Sequence, residues 1–249
     1  RLLKGSPADR RKFADIVLSQ SSKNYMKTLM QYMKALKSRN AMLKEPRRYA
    51  KKGITAYDDI MSESGARILV ERLNFVREFG SIFKRMAASL FPPEMTIDLA
   101  YSSTLPLSES EEHNETDKIA EIYKESLHKR LEKDIEYGNT GCGIHRDDLN
   151  FKLNNKNVGV FGSEGQCRLS AIALKLGSVE YLKNKSADNK DICFLVDDVL
   201  GELDESGTKR FFSVFSQSPQ VVLAATEIPK GIDVNNGKVL TVEKGHIDS

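Results

Sequence analysis

The chain of 249 residues holds no run of about 18 apolar residues, which excludes a membrane-spanning helix. Cysteine is scarce. Cys142, Cys167 and Cys193 form no CxxC pair and no His-linked metal spacing, which argues against a disulfide framework and fits small buried thiols in a reducing cytoplasm. There is no starting methionine and no long apolar leader. The chain begins Arg1-Leu2-Leu3-Lys4-Gly5 and reads as a piece of a longer protein. The pattern GxxxxGK[ST] occurs nowhere, so the chain holds no phosphate-cradling lysine of a P-loop. Acid is nearly missing from the first 52 residues, which carry three Asp+Glu against fifteen Lys+Arg.

Hydrophobic content of 40% and charged content of 29% allow a core and exclude a disordered tail. The formal net charge of +3 hides a split. Residues 53–90 carry five charges of each sign, and residues 91–249 carry 18 Lys+Arg against 27 Asp+Glu. A basic half beside an acidic half suggests an anionic polymer or membrane surface on one side only. A solvated, lysine-rich helix face is the plainer alternative. The candidate phosphate contacts are Arg10, Arg11, Lys12, Lys34, Lys37, Arg39, Arg47, Arg48, Lys51 and Lys52. Few aromatics interleave them, which favours backbone contact over base stacking.

Two divisions are expected: a helical arm over 1–93 and an α/β part over 94–249. Ser6-Pro7-Ala8-Asp9 has the marks of a helix start, and a second follows at Ser21-Ser22. Tyr25, Leu29, Tyr32, Met33, Leu36 and Leu43 then recur at helical spacing until Pro46. A second long helix is expected from about Asp58 to Leu90, with Leu69, Leu73, Val76, Phe83 and Leu90 as its stripe. Together they predict an antiparallel hairpin. Beyond Pro93 the pattern predicts a strand over 95–101, a helix over 117–137 and a strand over 149–153. Asn154-Asn155 is then a turn back into Val158–Phe161. A helix from Gln166 to about Lys185, a strand over 192–196 buried on both faces, a helix over 205–216, a strand over 221–225 and a hairpin over 234–242 complete the reading. Strand, helix, strand predicts a parallel sheet.

Two features carry chemistry. The apolar run Ile192–Val196 ends in Asp197-Asp198. In open α/β sheets ligands sit beyond the carboxyl ends of strands, where one carboxylate can hold Mg²⁺ and a second can act on a water. A pair of helix-capping acids is the alternative. Phe161-Gly162-Ser163-Glu164-Gly165-Gln166 opens a helix with free amides and a hydroxyl, which makes an anion site or a glycine-rich turn. The order of that turn, a helix of about 20 residues, the strand into Asp197-Asp198 and then Leu200–Asp204 is more specific than any part.

In that ordered set the chain resembles the RecF family of recombination mediators, relatives of the SMC and ABC-type ATPases. Leu3–Pro7 with Arg10–Phe13, and Leu36–Lys44, resemble the family's helical arm. Gly143-Ile144-His145-Arg146-Asp147-Asp148-Leu149 resembles its GPHRDDL segment, with Ile144 in the place of the usual proline. Phe161–Gln166 resembles the ABC signature turn, Ile192–Asp198 Walker B and Leu200–Asp204 the D-loop.

The resemblance implies an ABC/SMC-type ATPase head portion plus an all-α hairpin arm, with the P-loop upstream of Arg1. It implies an ATP and Mg²⁺ site shared between two copies. Ser163, Gly165 and Gln166 would cap the partner's nucleotide, Asp204 would reach across the interface, Asp197 would serve Mg²⁺ and Asp198 would be catalytic. Thr226 falls near the position of a switch histidine, and His145 and Arg146 are open to phosphate contact or a structural role. The implied activity is that of a slow, DNA-stimulated ATPase, with this chain alone inactive. The implied role is an ATP-switched DNA clamp in replication, SOS-linked and recombinational repair at double-stranded/single-stranded gap junctions. RecR and RecO are the implied partners, RecA loading the outcome, and the nucleoid of the cytoplasm the place. The alternative is a non-enzymatic helical hairpin that docks protein partners.

Overall fold

The computed structural model describes residues 2–49, 51–107, 116–185, 193–197, 205–215, 220–226, 237–243 and 246–248. The chain opens with α1 (Pro7–Ser21), α2 (Lys23–Lys44), the short α3 (Lys51–Thr55) and the long α4 (Asp58–Leu90). Ser6 and Asp9 bond each other's backbone amides at the start of α1, and Pro7 occupies the first turn, where its missing N–H costs nothing. Ser22 ends α1 and caps α2 through Tyr25 N–H.

The expected hairpin is present as α2 against α4, but α4 is no free-standing arm. It also packs on α5 (Thr116–Tyr137), α7 (Glu164–Lys185), β1 (Ile97–Ser102) and α8 (Glu205–Phe215). Its buried face is therefore wider than the stripe read from spacing. Phe75, Phe79 and Phe83 stack at 4.7 and 6.2 Å between ring centroids. Phe13 of α1, Tyr181 of α7 and Phe151 meet them edge-on. One apolar cluster thus runs across residue 93, where the texture of the sequence changes.

β1 pairs antiparallel with β2 (Asp148–Leu153), and β2 with β3 (Lys156–Asn157). Asn154 and Asn155 take φ of 47° and 62°, the left-handed pair that a two-residue hairpin requires. The chain does not continue as a strand. Val158–Phe161 is a helical turn, α6, because Asn157 Oδ1 accepts from the amides of Gly159 and Val160.

β4 (Cys193–Asp197) and β5 (Gln220–Ala224) are parallel, as strand–helix–strand predicts. The expected burial on both faces is not found. Phe194, Val196 and Val221 pack on the core, whereas Leu195 is 80% and Val222 49% exposed. Among the described residues no element covers that face. At the end of the chain β6 (Thr241–Glu243) pairs with β7 (His246–Asp248). Of the hairpin expected over 234–242, residues 234–236 lie outside the described residues, and 241–243 pair instead with 246–248.

Candidate functional site

The glycine-rich turn opens α7. Ser163 N–H donates to Gln166 Oε1 at 2.9 Å, and Gln166 N–H donates to Ser163 Oγ at 3.2 Å. This reciprocal cap fixes the turn, so Gln166 holds its shape. Ser163 Oγ accepts within the cap and keeps its own proton to donate outward. The amides of Glu164 and Gly165, in the first turn, have no intrahelical acceptor. Ser163 is exposed, and a Cβ added to Gly165 would meet nothing within 4 Å. Gly165 therefore carries the helix penalty of a glycine with no neighbour among the described residues that demands it. Glu164 would repel an anion at this helix end, but its carboxylate is paired with Lys4 and held below its ordinary range by that hydrogen bond. The donor set fits a phosphate approached from outside the chain.

Asp197 closes β4 and lies exposed beside Ala224, the last residue of β5. Thr226 follows two residues later and is also exposed. Asp197 and Thr226 thus share the carboxyl edge of the parallel pair, where α/β sheets place ligands. Among the described residues no group of three His, Cys, Asp or Glu is placed to hold a metal. Asp197 fits Mg²⁺ only as one carboxylate beside phosphate oxygens and water. Asp198 and Asp204 lie outside the described residues.

The Gly143–Leu149 segment is occupied with structural bonds. His145 Nε2 lies 3.0 Å from Thr140 O, an atom that only accepts, so Nε2 carries the proton. Nδ1 then accepts from Tyr32 Oη at 2.7 Å, and Tyr32 accepts from Tyr123 Oη at 2.5 Å. Burial lowers His145 to about 4, which keeps this chain of bonds neutral at pH 7. Arg146 bonds Asn139 Oδ1 and Thr140 O. Asp147 accepts from Tyr101 Oη, Thr104 N and Thr104 Oγ1 at 2.7–2.9 Å. Of the two open readings for His145 and Arg146, these bonds favour the structural one.

The basic residues divide. Lys12, Lys34, Lys37, Arg47 and Lys52 are exposed, and none of the five forms an ion pair among the described residues. Arg48 and Lys51 are exposed and paired with Glu45 and Glu132. Arg11 is half-buried and donates to Asp147 O at 2.6 Å. Two residues are corrected. Arg39 is wholly buried on α2, where it donates to Asp58 at 2.9 Å and to Asp134 and Thr140 at 2.8 Å, so it reaches no phosphate. Arg10 is tied by its Nε and Nη2 to both oxygens of Asp148 at 2.8 Å, and by Nη1 to Gly5 O. It clamps α1 to β2.

Among protein-family models none matches this chain. Among curated proteins it is 33% identical over 254 residues to the DNA replication and repair protein RecF of Staphylococcus carnosus, covering 99% of this chain and 66% of that protein. It is 31% identical over 251 residues to the RecF of Pediococcus pentosaceus, covering 98% and 65%. A solved structure described as the recombination mediator protein RecF-ATP in RecFOR pathway superposes with a TM-score of 0.81 at 26% identity, covering 99% of this chain and 64% of that one. The chain belongs to the RecF family.

This RecF-family chain spans just under two thirds of the length of the relatives it matches. Its fold is that of solved RecF structures, an ABC-type head portion with a helical arm. Sequence reasoning missed two features of this RecF-family chain. One is the exposed apolar pair before the signature turn, Val160 at 71% and Phe161 at 70% exposure. The helical turn α6 turns both outward, which strand alternation would not have done. The other is Arg72, buried on α4, which joins Asp15, Tyr25, Tyr101 and Ile144 O. Burial holds Tyr101 well above its ordinary range, so it serves there as a neutral donor. An arginine within an apolar stripe was the available signal, because such a charge needs buried partners.

Proposed function

We propose that the chain acts in DNA replication and recombinational repair as part of an ATP-dependent DNA-binding mediator of the RecF type. In this reading two copies close on ATP, grip DNA at gap junctions and release it after slow hydrolysis. The signature turn of each copy caps the nucleotide held by the P-loop of the other. Ser163 Oγ–H and the free amides of Glu164 and Gly165 donate to its terminal phosphate, and Gln166 keeps the turn in shape. Asp197 serves Mg²⁺ at the edge of the sheet, with Asp198 as the acid acting on water and Asp204 crossing the interface. Bound ATP supplies the energy difference between the closed and open dimer.

The observation that carries this reading is Gly165, which among the described residues has an open face, no steric need for glycine and two amides around it without an acceptor. A phosphate brought by a second copy accounts for all three. Lys12, Lys34, Lys37, Arg47, Arg48, Lys51 and Lys52 supply the contacts to DNA phosphates. RecR and RecO are the protein partners proposed, since the solved relatives are described within the RecFOR pathway. SOS-linked repair on the cytoplasmic nucleoid is the proposed setting. No helix among the described residues is long and apolar enough to cross a membrane.

The test joins this chain to the P-loop segment of a curated relative and follows sedimentation with Mg-ATP. ATP-dependent dimerisation lost on Ser163→Arg and on Asp197→Ala supports the reading. Dimerisation and DNA binding unchanged in both variants reject it.

A further inference from the structure

A groove of about 590 Å³ lies between α1 and α2, and the nucleotide reading gives it no role. Its apolar lining is Ile16 from α1, Met26, Leu29 and Met33 from α2, and Ile144 at the base. Three of these stay open to water, with Ile16 and Met33 each 49% and Met26 43% exposed, and Met30 beside them reaches 66%. Met33 belongs to the apolar stripe that predicts the hairpin, yet it faces water and not the hairpin core. Four large apolar side chains left wet on one face mark a surface built for contact. Methionine is the side chain that adapts to a partner's shape.

The rim is basic. Arg11 and Lys12 line the α1 side. On α2, Lys23, Lys27, Lys34 and Lys37 stand three or four residues from Met26, Met30 or Met33, and therefore flank the same face. No acidic residue occurs between Lys23 and Lys44. The one carboxylate in the lining, Asp15, is bound by Arg72 and Tyr25.

We propose that this groove docks an amphipathic, acidic helix of a partner protein. Two or three apolar side chains of that helix enter between the methionines, and its Asp and Glu residues meet the lysine rim. The lining runs along α1 from Ala8 to Gln20. At 1.5 Å per residue that is about 18 Å, enough for roughly three helical turns. Duplex DNA offers phosphates to the rim and nothing to the methionines. The lining has no Phe, Tyr or Trp on which a base would stack, and its one ring, His145, is bonded through both nitrogens. A bilayer calls for a convex apolar face, and this one is concave. No residue of the signature turn takes part, so the inference stands apart from the nucleotide reading. Lys12, Lys34 and Lys37 are shared with the proposed DNA contacts, so the acidic helix and the duplex compete for that rim.

The test selects displayed random peptides of about 15 residues, long enough for those turns, on the immobilised 249-residue chain. Synthesised winners are then measured by fluorescence anisotropy. The expected winners carry net negative charge and apolar residues at helical spacing. Met33→Glu and Met30→Glu should each weaken them about tenfold, with melting by circular dichroism unchanged. Lys27→Glu with Lys34→Glu should weaken them in a salt-dependent way. The proposal is overturned if no peptide family is enriched, or if the winners bind the Met variants as tightly as the parent chain. It is equally overturned if the Met variants lose affinity for a short DNA duplex or for phosphatidylserine vesicles and not for peptide.

Discussion

Arg39→Met removes a cation with no route to solvent. Its partners Asp58 and Asp134 have side chains only 1% exposed, so the variant leaves two buried carboxylates with only looser partners, Arg130 at 3.9 Å from Asp134 and His128 at 3.6 Å from Asp58. Burial already pushes the Asp58 carboxyl above its usual range, with Arg39 pulling the other way. Removing one partner of a buried pair costs about 3–5 kcal/mol. For a chain of this size that is roughly 10 °C in melting temperature. Arg39→Lys keeps the charge and loses the fork, so it spans one carboxylate rather than two and should lose about half as much. Asp58→Asn and Asp134→Asn added to Arg39→Met remove the orphaned charges and should restore part of the loss. The assay is thermal and denaturant unfolding, paired with DNA binding at a temperature where every variant is folded. The expected result is a large stability loss with DNA affinity unchanged. A variant that melts like the parent chain and binds DNA more weakly would refute the buried-network reasoning.

Neutral His145 stabilises the fold fully above its unfolded value near 6.5. That contribution drains as pH falls toward about 4, and at pH 5 roughly 2 kcal/mol is gone. His145→Asn, followed by urea unfolding from pH 7 to 5, should flatten that part of the profile, whereas an unchanged slope rejects the assignment. Gly143 has φ of 115°, and an added Cβ would sit 1.6 Å from Tyr123 Oη, so Gly143→Ala should unfold the loop and lower the melting temperature sharply. Replacing Lys34, Lys37, Arg47 and Lys52 one at a time by Ala should leave melting unchanged. Each should reduce the slope of log affinity for DNA against log salt by about one.

What was legible in the sequence is what local chemistry decides. Ser6-Pro7 starts α1, Asn154-Asn155 turns the hairpin, and helical spacing finds α5 and α7 within a few residues. What was not legible depends on distant partners. Arg39 meets carboxylates 19 and 95 residues away, and no charge count separates it from the exposed Lys37 two positions earlier. Val158–Phe161 is too short for periodicity to separate strand from helix, and the cap by Asn157 decides it. The apolar run at β4 predicts burial on both faces, but which faces are covered depends on neighbouring elements that the run does not encode.

The central claim is that this chain brings the cap and the acids of a shared nucleotide site, and not the main phosphate cradle. Titration of Mg-ATP by calorimetry into the 249-residue chain addresses it most directly. No saturable heat is expected, and a micromolar dissociation constant for the chain by itself would refute the shared-site reading.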